Sequence, residues 1–94
     1  MASFTTRVEL RGTPSKADYD KLHAAMRARG FTQTVVAPNG KSFYLPHAEY
    51  DLNGNLTVDQ VLEMARAAAN ATWPSHLVLV TKVSERTWFL VPVD

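Results

Sequence analysis

The stretch FTTRVELRGTPSKADYDKLHAAMRARGF, residues 4–31, changes its periodicity once, and that change decides the fold. Phe4, Thr6, Val8 and Leu10 alternate with Thr5, Arg7, Glu9 and Arg11, the period of two that marks a strand buried on one face and polar on the other. Beyond Gly12 the period lengthens. Tyr19, Leu22, His23 and Met26 fall within about a third of a helical circumference, with Lys16, Asp20, Lys21 and Arg27 outside it, which predicts an amphipathic helix. Either Thr13 followed by Pro14, or Ser15 with Asp18 three residues on, caps its start. Gly30 ends it, with Phe31 placed to touch Met26 across a Schellman-type stop.

Working outward, Thr32 to Ala37 reads as a second strand and Pro38-Asn39-Gly40 as the tight turn of a hairpin. The returning strand, about Ser42 to Leu52, contains Pro46, which predicts a bulge or a missing ladder bond. After Asn53-Gly54, Thr57 with Gln60 forms a capping box and Leu56 with Val61 the matching hydrophobic staple. Val58, Val61, Leu62, Ala65 and Ala69 then form the buried stripe of a second helix. His76 to Lys82 and Thr87 to Val93 read as two last strands. Two strand-helix-strand units joined by a hairpin predict one α+β domain over residues 1–94. Its expected form is a ferredoxin-like β-α-β-β-α-β two-layer sandwich of strand order 4-1-3-2, both helices on one face, with an additional C-terminal strand.

Composition agrees with a single core. The chain has 94 residues, 46% of them apolar and 20% charged, with no linker-like or low-complexity stretch. The longest apolar runs, Leu77 to Val80 and Trp88 to Val91, are far short of the roughly 20 residues of a membrane-spanning helix, and the stretch MASFTTRVEL lacks a secretory h-region. A soluble, cytosolic protein without a membrane partner is the expectation. Without cysteine there are no disulfides, thiolate metal sites or cysteine nucleophiles. A net charge of +1 excludes a strong nonspecific polyanion binder, so any nucleic-acid contact must come from a local patch.

Helices on one face leave the other face of the sheet open, carrying Arg7, Glu9 and Arg11 from the first strand. Leu77-Val78-Leu79-Val80 and Trp88-Phe89-Leu90-Val91 are apolar at successive positions, so both faces of these segments want burial. A homodimer formed through the C-terminal strands, with Trp88 and Leu90 in its interface, is the expected cover.

The order and spacing of Leu22, Met26 and Phe31, of Gly40, of Leu45-Pro46 and Ala48-Glu49-Tyr50, and of Leu56-Thr57 resemble the GhoS-like family of type V antitoxins. The resemblance covers most of the chain but not Arg86-Thr87-Trp88. It implies a ferredoxin-like endoribonuclease that cleaves a toxin's messenger RNA, and it assigns no catalytic residue to a numbered position here.

The residues suggest where such chemistry would sit. Metal-independent RNA cleavage needs a base for the 2′-hydroxyl, an acid for the leaving oxygen and a cation for the phosphorane. His47 and Glu49, two residues apart on the returning strand, would share a face with Arg7 on its neighbour. Arg7, His47 and Glu49 are therefore the expected catalytic cluster, and Arg7 with Arg11 the expected RNA contacts. The plainer account makes Arg7, Glu9 and Glu49 cross-strand charge pairs on a solvated sheet.

His23 reads as a packing histidine and His76 as a strand start. No histidine pair stands at zinc-ligand spacing, and the acidic and amide groups from Glu49 to Asn55 would hold at most a weak magnesium ion. No phosphate-loop or dinucleotide motif is present, and no cofactor is expected. The rival function is a non-catalytic regulator or inhibitor that docks on a protein partner through its apolar C-terminal strands.

Overall fold

A computed structural model describes residues 1–94. The chain forms an α+β unit in the order β1 (Ala2–Leu10), α1 (Lys16–Arg27), β2 (Thr34–Val36), β3 (Ser42–Tyr44), β4 (Glu49–Gly54), α2 (Val58–Asn70) and β5 (His76–Lys82). β1 is central in an antiparallel sheet of order β4-β1-β5, while β2 and β3 pair with each other in a separate two-stranded sheet. A bridge between Thr32 and Asp51 ties the hairpin's base to β4.

Alternation along β1 works as the sequence requires. Phe4, Thr6, Val8 and Leu10 are buried, Arg7 and Glu9 are exposed, and the buried row meets Leu22 and Met26 of α1 and Val61, Ala65, Ala68 and Ala69 of α2. Both helices therefore lie on the Val8/Leu10 side. The two capping boxes form: Ser15 with Asp18 starts α1, in preference to Thr13 with Pro14, and Thr57 with Gln60 starts α2. Phe31 donates its backbone N–H to the Met26 carbonyl after Gly30, whose φ of 92° suits glycine.

Three expectations need correction. The one sheet of order 4-1-3-2 does not form, because the hairpin strands β2 and β3 pair in a sheet of their own. The returning strand from Ser42 to Leu52 is not one strand. It breaks over Leu45 to Ala48, because Pro46 has no N–H for a ladder and Ala48 adopts a φ of 60°, the left-handed region. The additional C-terminal strand over Thr87 to Val93 does not form either. That segment runs beside β3 with a single bridge, Phe43 to Pro92, flanked by bonds from Tyr44 N–H to the Val91 carbonyl and from Val93 N–H to the Ser42 carbonyl. β3 ends at Tyr44, where the Leu45–Ala48 break begins, so the tail has no longer strand to pair with.

The buried row has one flaw. Thr6 is fully buried and its hydroxyl finds no hydrogen-bond partner in the protein. An unpaired buried hydroxyl costs about 1–3 kcal/mol, so Thr6→Val, similar in shape and without the hydroxyl, is expected to raise stability by about 1 kcal/mol in denaturant titration.

Candidate functional site

Two surfaces carry the chemistry, on opposite sides of the central sheet. On the outer face, directly opposed residues of neighbouring strands point the same way: Glu49, Arg7 and Leu79 form one row, and Asp51, Thr5 and Thr81 the next. Arg7 and Glu49 are thus brought face to face as expected, yet they form no ion pair; the chain's ion pairs are Lys16–Asp20 and Arg86–Asp51. Arg11 lies about 13 Å from Arg7 along the strand direction, at roughly 3.3 Å per residue, just past the end of β1. Its backbone is anchored at both groups, the N–H donating to the Ser75 carbonyl and the carbonyl accepting from the Trp73 indole.

Part of this face is occupied by the chain's own tail. One guanidinium nitrogen of Arg86 donates to Thr5 Oγ1 and to Asp51 Oδ1, each at 3.1 Å, and Asp51 is buried. The Arg86 guanidinium lies 5.7 Å from the Trp88 ring centre, and Trp88 in turn packs on Phe43 at 5.8 Å. Beneath this strap is a cleft of about 350 Å³ whose walls include Thr5, Glu49, Pro46 and Leu90. Trp88 and Leu90, the expected dimer contacts, thus turn toward their own chain, while Phe89 and Val91 face outward and are exposed.

His47 leaves the cluster expected for it. The left-handed step at Ala48 turns it toward α1, where its ring stands edge-on to Tyr19 at 4.4 Å and 6.0 Å from the His23 ring, so it forms no common site with Arg7 and Glu49. His23 Nδ1 lies 2.6 Å from the Tyr50 hydroxyl, and the Tyr19 hydroxyl accepts from the Leu10 N–H beyond the end of β4. The result is a group of two histidines and two tyrosines that runs from the buried Tyr50 to the exposed His47. Burial, then the charge of His47, push the His23 pKa below its ordinary value, and burial pushes the Tyr50 phenol up, so that tyrosine stays neutral.

Next to this group a cleft of about 310 Å³ is lined by His23, Arg27, Phe31, Thr32, Gln33, Thr34 and Tyr44. Tyr19, His23 and Arg27 are spaced by four residues along α1, a legible signal that marks one helical ridge. What the sequence did not reveal was that the Leu45–Ala48 break would lay His47 along that ridge. No group of acidic, histidine or cysteine side chains here is arranged to hold a metal ion.

Two measurements check these surfaces. Arg86→Ala leaves the buried Asp51 carboxylate unpaired and is expected to cost about 1–3 kcal/mol, with a change in tryptophan fluorescence as Trp88 loses its partner. Because the His23 pKa is lower in the folded protein, its contribution is fully present above the unfolded value of about 6.5. It is lost as pH falls from there through the folded value, since the unfolded chain binds the proton more readily. Stability measured from pH 7 to pH 5 should therefore fall more steeply for the wild type than for His23→Gln.

No family model matches this sequence, and neither does any curated protein. The functional reading is therefore carried by the two surfaces themselves.

Proposed function

We propose that this chain binds RNA and cleaves it without a metal, on the helix side of the sheet, and that its fold is of the ferredoxin-like type. The GhoS-like resemblance supplies the target class, the messenger RNA of a toxin. The observation that carries the reading is the pairing of His23 and His47, ring centres 6.0 Å apart, with His23 lining a cleft beside Arg27 and Tyr44. Two histidines at this spacing provide the base and the acid that cleavage at a ribose 2′-hydroxyl requires. His23, kept neutral by burial and by its neighbour, takes the 2′-hydroxyl proton as the 2′-oxygen bonds to phosphorus. The bond from phosphorus to the 5′-oxygen breaks, and that oxygen takes a proton from His47, leaving a 2′,3′-cyclic phosphate and a 5′-hydroxyl. Arg27 balances the phosphorane charge, and the exposed Tyr44 ring offers a base a stacking surface. The cleft's volume lies at the small end of ligand-sized sites, about 300–1,000 Å³, enough for one nucleotide of a longer strand.

Protein docking is the second reading. Leu77 and Leu79 of β5, with Phe89 and Val91 of the tail, are large, exposed and apolar on a chain of near-zero net charge.

Cleavage of mixed RNA by the purified protein separates the two. The expected result is chelator-resistant cutting that yields 2′,3′-cyclic phosphate ends, slowed roughly 10²-fold or more by His23→Gln or by His47→Ala and little changed by Glu49→Gln. Folded histidine variants that cut at the wild-type rate would remove this site. A wild type that neither binds nor cuts RNA would leave the docking reading.

A further inference from the structure

We infer that β5 pairs with β5 of a second copy, antiparallel and centred on Leu79, joining two three-stranded sheets into one of six strands. The ladder's parity carries the inference. Val83 donates its N–H to the Ser3 carbonyl, and Arg11 donates to the Ser75 carbonyl, so the odd-numbered residues of β5 bond to the odd-numbered residues of β1 in the observed register. The N–H and C=O groups of His76, Val78, Val80 and Lys82 consequently point away from β1, toward the free edge of the sheet.

That edge lacks the usual protection. β5 is seven residues long, contains no proline and carries one lysine at its end, and no other strand pairs with it. The tail does not cover it but lies across β4 and beside β3.

A dyad through Leu79 matches this edge to itself. Val78 faces Val80 of the copy and His76 faces Lys82, so all the outward backbone groups find partners. Leu79 then faces Leu79 of the copy in a position without ladder bonds, where opposed side chains approach most closely. The dyad stands perpendicular to the sheet, so each outer face continues into the other. Leu77 and Leu79, 53% and 66% exposed in the single chain, form an apolar patch at the junction, with Arg7 of each copy one strand behind it. Antiparallel pairing also leaves the helices of both copies on the same side, clear of the leucine patch.

One ladder and a few leucines bury less than the roughly 1,200 Å² of a standard stable interface, so the dimer belongs to the weak, concentration-dependent class. A second copy is the favoured occupant because the dyad about Leu79 gives every outward backbone group of the edge a partner and sets Val78 against Val80 and leucine against leucine.

Sedimentation over a concentration series, combined with amide hydrogen exchange, tests this. The expected result is a monomer–dimer equilibrium in the micromolar to hundreds-of-micromolar range. The amides of Val78, Val80 and Lys82 should gain protection as concentration rises, whereas those of Leu77, Leu79 and Thr81 are protected throughout by the bonds to β1. Leu79→Lys, at an exposed position, should weaken association at least tenfold while keeping the Leu77 and Thr81 amides protected, which reports an intact fold. A wild type that stays monomeric throughout overturns the inference. So does a dimer that leaves the even-numbered amides unprotected, or one that survives Leu79→Lys in the folded variant.

Discussion

The double ladder of β1 sets the frame into which every other element fits. Its even-numbered backbone groups serve β4, as the bond from Val8 N–H to the Ala48 carbonyl attests, and its odd-numbered groups serve β5. The same alternation sends Phe4, Thr6, Val8 and Leu10 into the core and Arg7 and Glu9 to the opposite face. A slip of one residue on either side would exchange the buried and exposed rows together, so a single register determines the core, the outer surface and the direction in which the β5 edge offers its bonds. Tyr19 marks the end of this arrangement: its hydroxyl accepts from Leu10 N–H where β4 no longer reaches.

Where the ladder is interrupted, chemistry collects. Pro46 cannot donate and Ala48 takes a left-handed conformation, so the chain leaves β3, steps past α1 and re-enters the sheet as β4. The four residues of that break put an exposed histidine against a helical ridge that already carries Tyr19 and His23. A regular strand would have left His47 and Glu49 on one face. The irregularity separates them, and it is also what gives His47 a second histidine as a neighbour.

The tail solves a burial problem in an unexpected way. Apolar residues at successive positions signal that both faces of a segment are covered, and Trp88 to Val91 were of that kind. Trp88 and Leu90 pack on the chain itself while Phe89 and Val91 stay exposed, and Arg86 ties the strap to Thr5 and Asp51. The strap's hold is polar as well as apolar, since a buried carboxylate is tolerated there because a guanidinium reaches it. Leu77 and Leu79, of the same apolar appearance in sequence, remain uncovered in the single chain.

What depends on near neighbours along the chain was legible in the sequence: the alternation of β1, the capping boxes of both helices, the Pro38-Asn39-Gly40 turn, the bounds of β5 from His76 to Lys82, and the helical faces except at the start of α2, where Val58 is exposed and Ala68 takes a place in the core. Those features follow from periods of two and 3.6 residues and from side chains that bond to backbone three positions away. The central place of β1 was also legible, from the topology expected of two strand-helix-strand units joined by a hairpin, whereas the returning strand, expected to be central too, lies at the edge of the three-stranded sheet. Tertiary structure alone decided the rest. Pro46 announced an irregularity, but the direction in which it would aim His47 depended on where α1 lay. The partners of Arg86, 81 and 35 residues distant, and the side of the sheet its strap would cross, carried no local signal at all. Contacts so far apart in sequence arise from which surfaces remain unburied once the local elements have packed, and no periodicity encodes that.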